Sequence, residues 1–132
     1  MLIDSDFLDT ISAQAQKNER LRQNYNLHDS LDSGCQRMFN ALEPGTRLPI
    51  HRHPHTDETY ILLRGRIDTI FCDENGVECE RFHLNPLEGR FGVHIPKGQW
   101  HTLEVLDSGS VIFETKEGPY TPLSQQDILS NE

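Results

Sequence analysis

The sequence has no long apolar run. Its longest purely apolar stretches hold four residues, such as Tyr60-Ile61-Leu62-Leu63, against the ~20 a helix needs to span a bilayer. The first residues, Met1-Leu2-Ile3-Asp4-Ser5-Asp6, carry neither the basic stretch nor the apolar core of a secretory leader. A cytoplasmic chain without membrane contact is expected. Basic residues are scarce: 12 Lys and Arg stand against 21 Asp and Glu, for a net charge of −9. That field repels phosphate backbones and anionic lipid, which argues against nucleic acid as a partner. Cysteine is sparse and odd in number. Cys35, Cys72 and Cys79 show no C-x-x-C spacing, so neither a disulfide framework nor a zinc finger is indicated, and reduced thiols are expected.

What remains is one domain's worth of chain, 132 residues with an apolar share of 35%, enough for one small core. Asp4 or Ser5 can cap a helix whose stripe is Phe7, Leu8, Ile11 and Ala15. It fades near Lys17–Arg20, and Asn24–His28 reads as loop with a short strand. From Gln36 onward, short strands alternate with turn signals. They are Gln36–Leu42, Glu58–Arg64, Arg66–Cys72, Val77–Leu84, Phe91–Ile95, His101–Leu106 and Ser110–Lys116. Asn75-Gly76 between two of them is a hairpin signal. Many short, evenly spaced strands predict an all-β sandwich or barrel. The expected organisation is an N-terminal helical segment over 1–24, a β-barrel over 25–120 and an irregular tail over 121–132.

Seven histidines are present, three of them within five positions. His51 and His53 are two apart, so on a strand both imidazoles project from one face. Pro54 then breaks the ladder. Glu58 opens the next apolar strand, where an inward carboxylate must be paired, protonated or bound to a metal. Pro96-Lys97-Gly98-Gln99-Trp100-His101 is a tight turn feeding a strand with His101 at its head. Three imidazoles and one carboxylate suit one first-row divalent ion, Zn, Fe, Mn, Ni or Cu. His55 shares the parity of His51 and His53, but Pro54 and the following Thr-Asp turn it away.

These residues resemble the cupin superfamily. Gly45-x5-His51-x-His53-x4-Glu58-x6-Gly65 matches the first cupin motif at its fixed positions, and Pro96-x-Gly98-x2-His101 matches the centre of the second. Arg90 stands where the second motif has a glycine, and Val105 where it has an asparagine; neither touches a ligand position. The stretches Arg22–His28, His51–Pro54, Ile95–Thr102 and Phe113–Tyr120 are similar to blocks of the WbuC family of cupin-fold metalloproteins. The resemblance implies a mainly β, small double-stranded β-helix (jelly-roll) barrel with one N-terminal helix and a metal in its mouth. It also implies a homodimer, for which the physical motive is uncovered sheet edges. The WbuC family takes its name from a gene of O-antigen polysaccharide clusters, which sets a polysaccharide context by neighbourhood alone.

Four further residues are candidates for binding a small-molecule ligand: Arg37, Glu114, Lys116 and His94. Glu114 and Lys116 share one face of the last strand, either as a surface ion pair or as a charged pair meeting an anionic substrate. Arg37, if inward, would grip a carboxylate or phosphate bidentately. His94 enters the second motif as a pocket-rim residue. Four protein ligands leave up to two positions open on a six-coordinate ion. An enzyme acting on a sugar-like or hydroxy-acid ligand, a non-catalytic ligand-binding or sensor module, and a purely structural metal are all compatible with that. Finally, a two-residue turn at Asn75-Gly76 places Cys72 opposite Cys79 in a hydrogen-bonded pair, which predicts two adjacent free thiols.

Overall fold

A computed structural model describes residues 1–129. The helix α1 (Ser5–Lys17) is capped by Asp4, whose side chain accepts from Phe7 N–H. Ten strands follow: β1 (Arg22–Asn26), β2 (Cys35–Leu42), β3 (Ile50–His51), β4 (Glu58–Arg64), β5 (Ile67–Cys72), β6 (Glu78–Leu84), β7 (Gly92–Ile95), β8 (Trp100–Val105), β9 (Ser110–Glu117) and β10 (Ile128–Leu129). They form two five-stranded antiparallel sheets, ordered β1-β2-β9-β4-β7 and β10-β3-β8-β5-β6. Chain segments cross between the sheets repeatedly, so the motif strands β3, β4 and β8 face one interior. The expected fold class is the one observed.

Period-two alternation decides which side chains enter that interior. On β2, Gln36, Met38, Asn40 and Leu42 point inward, while Phe39 and Ala41 pack beneath α1 with Leu8, Ile11, Ala15 and Val111. The inner faces close on Leu42, Tyr60, Leu62, Ile67, Leu84, Ile95, Val105 and Ile112. This apolar layer fills one end of the barrel and leaves the other end to polar residues. Burying such a side chain is worth about 1.5–3 kcal/mol, so the layer fixes the register of the site residues above it. Gly65, the last residue of the first motif, has φ +100°, and a Cβ there would lie 2.1 Å from Ser110 Oγ. Only glycine fits so close a crossing in that conformation.

Of the tail expected to be irregular, residues 121–129 are described and contain a 3-10 turn (Gln125–Asp127) and then β10, which pairs with β3, while 130–132 lie outside the described residues. At the start, β1 begins at Arg22, inside the segment expected to be helical. The hairpin also differs. Asp73 N–H donates to Val77 O, and the Asp73 carboxylate accepts from Asn75 and Val77 N–H. This side-chain cap widens the turn and shifts the register, so Cys72 faces Glu78 and not Cys79. Cys72 is buried beside Ile70 and Trp100, and Cys79, at the bulge beside the Cys72–Glu78 pair, is exposed. All three cysteines are free. No helix among the described residues is long and apolar enough to cross a membrane.

Candidate metal centre

His51 and His101 face each other across β3 and β8. His53 follows β3, its carbonyl held by the Gly98 N–H at 2.8 Å. Gly98 adopts φ +83°, so the second motif's turn braces the first motif's ligand loop. The ligating atoms of His51, His53 and His101 all lie within 4.8 Å of one another. Glu58 enters from the opposite sheet, with Oε1 3.3 Å from His101 Nε2 and 3.6 Å from His53 Nε2.

Hydrogen bonding fixes what these groups can do. His51 Nδ1 lies 2.9 Å from Pro49 O, and His101 Nδ1 lies 2.9 Å from Gln99 O. A carbonyl only accepts, so both Nδ1 atoms carry a proton, which leaves Nε2 as the nitrogen available for ligation in each neutral ring. Burial first, and then the charge of His101, lowers the His51 pKa to about 4. Burial, followed by the Lys116 charge, lowers that of His53 to about 4. His51 and His53 are therefore held neutral, as ligation requires.

Glu58 is 7% exposed, and among the described residues its buried Oε1 has no hydrogen-bond partner. Burial works against its ionisation, yet Glu114, the adjacent His101 and then the Lys116 charge hold it well below the ordinary carboxylate range. This oxygen faces His101 Nε2 and His53 Nε2 without a hydrogen bond to either. Such a group costs several kcal/mol unless a cation completes it. The donor set fits a divalent transition ion, and the backbone carbonyls behind His51 and His101 are the outer partners that orient metal-binding imidazoles.

The remaining candidates divide by strand parity. Glu114 and Lys116 point inward from β9, where Lys116 pairs with Glu58 and Glu114 with Tyr60 in the ladder with β4. Lys116 Nζ is 4.0 Å from both Glu58 Oε2 and Glu114 Oε2. Burial, and then the Glu58 charge, push the Glu114 carboxyl well above its ordinary value, while Asn40 Nδ2 donates to its Oε1. Arg37 and His94 do not reach the interior. Arg37 sits between the inward Gln36 and Met38, so it points outward and is exposed. His94 pairs with the outward Thr59, is hydrogen-bonded to its hydroxyl at 2.8 Å, and is exposed. His55 is exposed and stands apart from the three clustered imidazoles. The sequence reading missed Asn40, although its even spacing from Gln36 on one strand was a usable signal.

A cavity of about 480 Å³ opens in front of the quartet. Leu42, Leu103 and Ile112 line its floor, with Asn24, Asn26 and Asn40 on one wall. Its size is that of a small-molecule site.

The comparisons with known proteins agree with this architecture. The structure is similar to KdgF from Halomonas sp., with a TM-score of 0.59 and 16% identity over 76% of this chain and 80% of that one. It is similar to the capsular polysaccharide assembling protein CapF from Staphylococcus aureus, with a TM-score of 0.64 and 21% identity over 85% of this chain. The match spans 32% of CapF. The cupin domain of Schizosaccharomyces pombe Cnp3 gives a TM-score of 0.58 and 11% identity, over 73% of this chain and 64% of that one. At these identities the likeness establishes the cupin fold. No curated protein sequence matches the chain. A family model does match, over residues 3–84, a range that holds α1, the first cupin motif and three of the four candidate ligands. The chain therefore belongs to the family described as Domain of unknown function (DUF6016).

Proposed function

We propose that the protein is a metal-dependent cupin of the WbuC type. His51, His53, Glu58 and His101 hold one divalent transition ion, and a small sugar-like or hydroxy-acid ligand occupies the cavity in front of it. One observation carries this reading: the buried, unpartnered Glu58 Oε1 faces the Nε2 atoms of His101 and His53, beside His51, while the Nδ1 atoms of His51 and His101 are committed to backbone carbonyls. When bound, the ion polarises a ligand carbonyl or hydroxyl oxygen and stabilises negative charge there. Glu114 and Lys116 orient the ligand from β9, and Asn40 fixes the Glu114 carboxyl. The apolar floor keeps bulk water from the far side of the site.

A polysaccharide context is supported by the block resemblance to WbuC and by the likeness to CapF, described as a capsular polysaccharide assembling protein. The working state in this reading is a cytoplasmic homodimer, paired through the outer strands of the two sheets, which have hydrogen-bonding groups to cover. Light scattering across a wide concentration range tests that part, and a strictly monomeric mass removes it. Elemental analysis of purified protein tests the metal: one equivalent of a divalent ion is expected, and its retention by a His51→Ala/His101→Ala variant overturns the assignment. Incubating metal-loaded protein with hydroxy acids and following them by NMR separates turnover from reversible binding. New resonances mark an enzyme; shifted but chemically unchanged ones mark a binding module.

A further inference from the structure

The metal-ligand quartet uses only part of the barrel mouth. A second cavity, of about 330 Å³, lies between the loop after His53 and the segment from Glu117 to Asp127. Gln36, His53, Lys116 and Tyr120 line both cavities, so the two border each other across these four side chains. The candidate metal centre does not account for the outer one.

The two cavities offer different chemistry. Beyond the quartet, the inner wall carries the carboxamides of Asn24, Asn26 and Asn40. Asn24 Nδ2 donates to Asn26 Oδ1 and Asn40 Nδ2 to Glu114 Oε1, and the remaining amide hydrogens and oxygens match hydroxyl groups, which both donate and accept. The outer cavity is walled by the rings of Pro54, Pro119, Tyr120 and Pro122, with the Thr121 and Ser124 hydroxyls between them. Flat apolar faces edged by hydroxyls suit the two sides of a sugar ring, its C–H face and its hydroxyl rim. Lys116 stands at the boundary. Its Nζ is 4.0 Å from each of two carboxylate oxygens, beyond hydrogen-bond range, and among the described residues no acceptor takes its protons. An ammonium group with unused donors, in a cavity wall of a chain carrying a net charge of −9, is an anchor for an anionic group brought by a ligand.

We propose that the two cavities form one bipartite site for a sugar acid extended by a second sugar. The polyhydroxy-acid part lies in the inner cavity against the asparagines, its carboxylate meets Lys116, and the second ring packs on Tyr120 and Pro122 in the outer cavity. This inference rests on the inner cavity being a metal and hydroxy-acid site. It adds the length of the ligand, its charge and the position of that charge.

The test is titration calorimetry on the metal-loaded protein with three probes. D-gluconate is a sugar acid alone, lactobionate is gluconate bearing one galactosyl unit, and lactose is a neutral disaccharide of the same size. Lactobionate is expected to bind at least about tenfold more tightly than gluconate, and lactose at least about tenfold more weakly than lactobionate. Thr121→Trp places an indole in the outer cavity from an exposed position on irregular backbone. It is expected to bring lactobionate down to the affinity of gluconate, leaving gluconate and the metal content unchanged. Equal affinities for the two acids, or equal weakening of both by Thr121→Trp, overturn the bipartite site and leave the inner reading standing. Equal affinities for lactose and lactobionate overturn the carboxylate anchor. Binding of neither acid overturns this inference together with the proposed hydroxy-acid ligand, while elemental analysis reads the metal assignment separately.

Discussion

The two faces of the second sheet each carry a cluster of imidazole and carboxylate groups, and the clusters differ in one respect. On the outer face, Asp68, Glu78 and Glu104 surround Arg81. Its guanidinium donates to Asp68 and Glu104 at 2.8 and 3.0 Å and grips Glu78 with two nitrogens. His83 Nδ1 meets the other oxygen of Asp68. Every carboxylate there has a donor. On the inner face, His51 and His101, with His53 beside them, surround an acidic oxygen that has none among the described residues. Residue type alone therefore does not mark a ligand site. The mark is an unsatisfied atom buried where the fold could have supplied a partner and did not.

The comparison can be broken most sharply by removing ligands. His51→Ala/His101→Ala should take metal content from one equivalent to almost none, whereas Arg81→Met should keep the full equivalent; elemental analysis after gel filtration decides. Chelation comes next. At a free-metal concentration a thousandfold above Kd, the ion stabilises the folded state by about 4 kcal/mol. Denaturant melts with and without chelator should show that loss in the wild type and in Arg81→Met, and none in the double-histidine variant. Arg81→Met itself should cost roughly 1–3 kcal/mol, because Asp68 is left with too few donors, and by the same amount with or without metal.

A smaller effect concerns pH. Burial opposes the Asp68 charge, but hydrogen bonds from His83 and Arg81 more than offset it and hold its pKa below the ordinary aspartate value. A carboxylate depressed in the folded state stabilises the fold above its unfolded pKa, near about 3.9, and loses that contribution as pH falls through the folded value. The stability gap between wild type and Asp68→Asn should therefore be constant above about pH 5 and close progressively below about pH 4. Acid titration of both proteins, followed by circular dichroism, checks this. Least affected should be Cys79→Ser, an exposed site at the hairpin bulge, with a change within about 0.5 kcal/mol.

The sequence was most informative where chemistry dictates spacing. His51, His53, Glu58 and His101 are recognisable as a set because a strand sends i and i+2 to one face, and because a buried carboxylate on an apolar strand must have a partner. Glu58–Arg64 has the expected bounds for the same reason: its alternation is regular. Where alternation depends on register, the sequence is silent. Arg37 and His94 have the right chemistry but the wrong parity, and parity is set by neighbouring strands far away in sequence. Cys72 and Cys79 are free as expected but are not a cross-strand pair, because one carboxylate, Asp73, caps the turn and the register shifts by a residue. Arg90, where the second cupin motif has glycine, is tolerated because Gly89 supplies the left-handed turn at φ +77°. β10 has only two residues, too few for any period to show.

That short strand has a consequence for how the centre is completed during synthesis. β3 is itself two residues long, and its hydrogen-bonded neighbours are His101 on one side and Ile128–Leu129 on the other. Arg52, between His51 and His53, is tied through its backbone and its guanidinium to Asp127. The first two histidines are translated early, yet their strand acquires both flanking partners only after residues 101 and 128 have left the ribosome. Helix and barrel strands can collapse first. The strand that carries the first two histidines is thus held in place by two of the segments most distant from it in sequence.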